Sequence, residues 1–149
     1  MSRFKHILVP TDFSEPAERA LELAMTVAER FDSKVTLLHA TWIPPVAYGG
    51  YAESLSWPID DMTKAAKQEL DAVLAKAKTR LPTIDGLVTF SEPSQTILDV
   101  ARDRRADLIV MGTHGRRGLS RVLLGSVAER IVRLSPVPVL TVSGKTENA

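Results

Sequence analysis

Four of the eight glycines in this 149-residue chain fall between positions 112 and 125, at Gly112, Gly115, Gly118 and Gly125. Glycine lets backbone N–H groups approach a ligand with no Cβ in the way. Gly125-Ser126 then opens a helical pattern, and the uncompensated N–H groups and dipole at a helix start favour an anion. Arg116, Arg117 and Arg121 add positive charge, and Thr113 and His114 lie inside the same turn. This combination describes a cradle for phosphate. Plainer roles stand beside it. Gly112 can simply turn the chain off a strand, and the arginines can be an ordinary solvated loop. Ser126-Val127-Ala128-Glu129 fits a capping box in which Ser126 serves only as N-cap, worth about 1 kcal/mol.

A second candidate is Pro10-Thr11-Asp12, which ends the apolar run Ile7-Leu8-Val9. Asp12 can meet a ligand or its metal, or cap the turn before the first helix. The histidines are His6, His39 and His114. The first two sit beside or at the end of strand patterns and read as structural, whereas His114 is placed to touch phosphate or carry a proton, or to serve simply as a hydrogen-bonding loop residue. Competing signatures fail. Gly144-Lys145-Thr146 mimics the end of a P-loop, but Val139 stands where its first glycine belongs. No nucleophile elbow and no His-Glu-x-x-His zinc helix is present.

The elements that must position these residues alternate. Ile7-Leu8-Val9 is a continuous apolar run, as in a strand covered on both faces, and Val35-Thr36-Leu37-Leu38-His39-Ala40 reads as a second buried strand. Between them Ser14 is a candidate N-cap, and Ala17, Ala20, Leu21, Ala24, Ala28 and Phe31 recur at helical spacing. Residues 41–60 hold Pro44, Pro45, Pro58, Gly49 and Gly50 together with every Trp and Tyr, and read as the one long irregular segment. A second helix follows from Met62 to Leu81, ended by Pro82. Ile84 to Phe90 is a weaker strand, placed at a sheet edge because of Asp85 and Gly86. Phe90-Ser91-Glu92-Pro93 repeats Phe13-Ser14-Glu15-Pro16, which predicts shared capping chemistry at two strand-to-helix junctions. Leu108 to Met111 is the fourth strand, Val127 to Leu134 the last helix, and Val137 to Val142 a fifth, edge strand. The tail from Gly144 is expected to fray.

These elements predict one α/β domain over residues 1–149: a doubly wound, five-stranded parallel sheet of order 3-2-1-4-5 with helices on both faces. Ligands of such sheets bind beyond the strands' carboxyl ends, where the winding reverses. That point lies between strands one and four, so Pro10-Thr11-Asp12 and Gly112-Thr113-His114-Gly115 are expected to face each other. Lys and Arg number 19 against 18 Asp and Glu, so no global field draws the chain to nucleic acid or an anionic membrane. The absence of cysteine excludes disulfides and thiolate chemistry and suits a reducing, cytoplasmic setting. No apolar stretch reads as a signal peptide or membrane span.

The spacing Gly112, two residues, Gly115, nine residues, Gly125-Ser126 resembles the nucleotide motif of the universal stress protein family, in its ATP-binding branch. Ile7 to Ser14, Val110 to Gly115, Gly125 to Glu129 and Pro136 to Leu140 resemble that family's opening and closing segments in order. The resemblance implies ATP, with a divalent cation (Mg or Mn) bridging its phosphates. It implies that Asp12 reaches the adenosine part and that the main chain around Ala40 meets the adenine edge. Gly112, Gly115 and Gly125 would admit phosphates, with the Ser126 hydroxyl and the Val127 amide completing the cradle. Pro10, Thr11, Met111, Thr113, His114 and Arg116 fill out the expected site, with no catalytic residue assigned. Ala128 departs from members that carry a hydroxyl there. The expected function is a nucleotide-dependent binding or switch module in the stress response. A slow ATP-hydrolysing enzyme and a nucleotide-independent dimeric scaffold are the alternatives. A homodimer through strand five is implied as well, since Val137, Pro138, Val139, Leu140 and Val142 leave that edge apolar.

Overall fold

Strand and helix alternate in a computed structural model of the chain, which describes residues 4–42, 52–114 and 124–144. Among the described residues the elements are β1 (His6–Pro10), α1 (Glu15–Phe31), β2 (Lys34–Ala40), α2 (Ala52–Lys78) and β3 (Asp85–Thr89), then α3 (Pro93–Asp103), β4 (Leu108–Gly112), α4 (Ser126–Leu134) and β5 (Val139–Val142). The strands form one parallel sheet in the order β3-β2-β1-β4-β5, as the sequence predicts. Successive strands are added to one side of β1 as far as β3 and to its other side from β4 onward, so the winding reverses between β1 and β4 and their neighbouring ends leave an open crevice.

Alternation along the central strands divides the core into two layers. Ile7, Val9, Val35, Leu37 and Val110 pack against Ala20, Ala24 and Met25 of α1 and Leu70 and Leu74 of α2. Leu8, Leu38, Ile109 and Met111 point the other way, onto Ile97 and Ala101 of α3 and Ala128 and Ile131 of α4. Small residues on α1 let it lie close to the sheet. Gly86 does the same for α2: a Cβ there would stand 2.5 Å from a Leu74 methyl, so this glycine serves packing as well as marking an edge.

Helix α1 starts as expected, with Ser14 in extended conformation and its hydroxyl accepting from the Ala17 N–H at 3.4 Å. It ends on Asp32, in the left-handed region at φ 55°. Several boundaries differ from expectation. Helix α2 begins at Ala52, ten residues before Met62, and runs through Pro58. Proline there removes one intrahelical hydrogen bond near the start of a 27-residue helix, and the remaining ladder tolerates it. Breaker-rich composition thus overstated the irregular segment, of which residues 43–51 lie outside the described residues. Strand β5 begins at Val139, because Ser135 and Pro136 first turn the chain out of α4. The two Phe-Ser-Glu-Pro segments also cap differently. Ser14 caps α1, whereas Glu92, one place later in the repeat, caps α3 by accepting from the Ser94 and Gln95 N–H groups.

Candidate functional site

The crevice between β1 and β4 is a cavity of about 290 Å³. Pro10, Thr11 and Asp12 bound it where β1 ends, and Ala40 where β2 ends. Met111, Gly112, Thr113 and His114 form the β4 side, and Gly125, Ser126 and Val127 of the α4 start close it. The expected site residues Gly115 and Arg116 lie outside the described residues, as do Arg117, Gly118 and Arg121. Ala17, Leu38, Pro93, Ile97 and Ala128 also line the cavity, beyond the residues expected from the sequence. Leu38 is legible there, because residues two apart on a strand share a face and Ala40 is expected at the site. Pro93 and Ile97 depend on α3 covering the same face as α4, which no local pattern states.

The β1 exit is tightly held. The Thr11 N–H donates to the Leu38 carbonyl at 2.8 Å, and the Phe13 N–H to the Thr11 hydroxyl at 3.0 Å. Asp12 Oδ1 accepts from the Ser14 N–H at 3.0 Å and from the Ser14 hydroxyl. Asp12 therefore caps the turn, one of the roles open to it in the sequence, and it also borders the cavity. Phe13 has φ 63°, an uncommon conformation for a residue with a Cβ.

The β4 exit is closed by a different pair. The Thr113 N–H donates to the Val142 carbonyl at 2.9 Å, and the Gly125 N–H returns to the Thr113 carbonyl at 2.7 Å. That second bond brings the start of α4 back beside the end of β4. His114 Nδ1 lies 2.8 Å from the Thr113 hydroxyl. Gly112 has a packing role: a Cβ on it would stand 2.8 Å from Pro16 Cβ, 3.0 Å from the Pro16 carbonyl carbon and 3.1 Å from the Ala17 nitrogen. A side chain there would push the first turn of α1 off β4.

The α4 start carries the clearest electrostatic feature. Its N-cap is Gly125 in extended conformation, with no side-chain hydrogen bond to the helix end. Ser126 is the first helical residue, so the capping-box role is not the one it plays. The first-turn N–H groups of Ser126, Val127 and Ala128 have no intrahelical acceptor, and all three residues line the cavity. Across the cavity, α3 is capped by Glu92. Burial works against that carboxylate's charge, but hydrogen bonds from the Ser94 hydroxyl and the Gln95 and Ser94 N–H groups, with Arg130 3.9 Å away, hold it below the ordinary glutamate range.

The other histidines lie outside the walls. His6 Nδ1 is 2.9 Å from the Arg104 carbonyl and Nε2 2.8 Å from the Thr36 hydroxyl, at the opposite end of the sheet. His39 Nδ1 is 2.8 Å from the Thr11 carbonyl. No group of three metal-ligating side chains occurs among the described residues, and Asp12 is the one carboxylate among the described cavity walls. Magnesium sites of the kind that ride on a substrate's phosphates use one or two carboxylates and several waters. The single carboxylate at this cavity is compatible with such a cation, whose other ligands would be phosphate oxygens and water.

The family model of the universal stress protein family matches residues 3–143. A universal stress protein of Methanocaldococcus jannaschii, MJ0531, is 35% identical over 144 residues, spanning 93% of this chain and 82% of its own. The solved structure of hypothetical protein MJ0577 superimposes with a TM-score of 0.84 at 31% identity, covering 98% of this chain and all of that one. Universal stress protein UspA from Lactobacillus plantarum gives a TM-score of 0.73 at 28% identity, over 95% and 99% of the two chains.

Proposed function

Because the chain belongs to the universal stress protein family, we propose that its β1/β4 crevice binds ATP and that the protein acts as a nucleotide-dependent binding or switch module. One observation carries this reading. The uncapped start of α4 opens into the same cavity as the exits of β1 and β4, so its first-turn N–H groups face a space sized for part of a nucleotide. In this reading the phosphates lie on Ser126 and Val127, with Thr113 and His114 beside them. The adenosine part lies toward Asp12 and Ala40, over the apolar walls Leu38, Ile97 and Met111. A magnesium or manganese ion held on the phosphates would neutralise their charge. Mass spectrometry of the ligand released from freshly purified protein tests the reading directly. A nucleoside triphosphate is expected, and protein that neither carries nor takes up ATP contradicts it.

The same reading assigns the β5 edge to a second copy of the chain. Leu140 on this strand is exposed, and so are Val132 and Leu134 on the neighbouring α4. β5 contains no charge to discourage pairing. Two copies joined edge to edge would satisfy the open backbone groups and cover these side chains.

A further inference from the structure

We infer that His39 is a positioning residue that holds Asp12 at the cavity by gripping the residues on either side of it. The inference rests on the nucleotide reading above for its functional consequence. His39 lies on β2 between Leu38 and Ala40, which line the cavity, and so points to the opposite face. From there it reaches Thr11. A carbonyl oxygen only accepts, so His39 Nδ1 carries the hydrogen and donates to the Thr11 carbonyl at 2.8 Å. In the neutral ring Nε2 then accepts from the Thr41 hydroxyl at 2.7 Å, which fixes the ring's orientation.

With the Thr11 N–H already on the Leu38 carbonyl, both backbone polar groups of Thr11 are tied to β2. On the far side of Asp12, the Phe13 ring lies against the His39 ring, with centroids 4.5 Å apart. Phe13 is the residue at φ 63°, a conformation that persists only where the surroundings hold it. The imidazole packed against it, tilted by 39°, supplies that support. One side chain therefore secures the residues before and after the cavity's carboxylate without touching the cavity, and Thr41 links it to the segment leaving β2.

The test is a double-mutant cycle read by ATP titration of the full chain. His39→Ala is expected to weaken ATP about tenfold, the scale of one well-placed hydrogen bond with its packing. Adenosine should weaken by the same factor, because the α4 start is untouched. On an Asp12→Ala background the His39 substitution should cost nothing further, since its effect runs through Asp12. His39→Asn, whose amide N–H occupies the place of Nδ1, should restore most of the affinity. Amide exchange at Phe13 and Ser14 should quicken in His39→Ala and return toward the wild-type rate in His39→Asn. Equal losses on both backgrounds, or unchanged ATP affinity, would overturn the inference. If wild-type protein binds no nucleotide, the site reading fails instead, and unchanged exchange at Phe13 and Ser14 then overturns the role of His39 by itself. Should His39→Ala not fold, His39→Leu carries the same comparisons with the bulk retained.

Discussion

A methyl group on Gly112 has nowhere to go except into Pro16 and Ala17 at the start of α1. Gly112→Ala should therefore destabilise the protein by about 1–3 kcal/mol, as overpacking does. It should also weaken ATP, because the displaced turn begins at Asp12. Thermal unfolding beside a titration checks both, and an unchanged melting temperature would show that α1 can yield. The sequence marked Gly112 as a ligand glycine or a turn glycine. Its packing role was hidden because Pro16 is remote in the chain and meets it only across the β1/β4 pairing. Ser126 shows the reverse case, since its alternatives were legible and the geometry excludes the N-cap role. Glu92 adds a pH prediction. Its carboxyl is held below the ordinary range, so the stability it gives is present above that range and lost as pH falls through the lowered value. Glu92→Gln should flatten the acid side of the stability profile, measured by denaturant titration from pH 7 to 3. An acid limb equally steep in the variant would show that other carboxylates set it.

Helix α4 is where element-level structure becomes chemistry. Its apolar spacing and glycine start were readable in the sequence, but the identity of its cap was not. The Ser-x-x-Glu pattern suggested a self-capped helix, and the helix instead starts one residue earlier, on Gly125 with no side chain over its N–H groups. Ser126→Pro exploits this. Proline is favoured at the first helical position, and Gly125 already has the extended conformation that a following proline demands. The variant removes one N–H and one hydroxyl from the cavity while leaving the helix sound. We expect unchanged helicity by circular dichroism, ATP affinity lowered by at least about tenfold, and adenosine affinity unaltered. Equal weakening of both ligands would place the phosphates elsewhere. The repeated Phe-Ser-Glu-Pro segment carries the complementary lesson. Identical letters at two strand exits gave different caps, because Phe13 turns left-handed and Asp12 takes Ser14, while Glu92 itself reaches the N–H groups of α3.

At the scale of the molecule, strand order followed from short apolar runs separated by one-sided helices, because parallel crossovers leave few topologies open, whereas the helices that share a face did not. The early start of α2 did not follow, since Pro58 and the aromatic-rich composition before it obscured the helical spacing. Assembly is tested at the β5 edge. Leu140→Lys should turn a dimer of the wild-type chain into monomers by light scattering, and a wild-type chain that stays monomeric at high micromolar concentration would remove that interface. The central claim is that the crevice is built for phosphate, and calorimetric titration of wild-type protein with ATP, AMP and adenosine under one buffer tests it most directly. Each charge-assisted hydrogen bond at the α4 start contributes about 1.5–3 kcal/mol, so affinity should fall stepwise from ATP in the micromolar range through AMP to adenosine. Equal affinity for ATP and adenosine would contradict the claim.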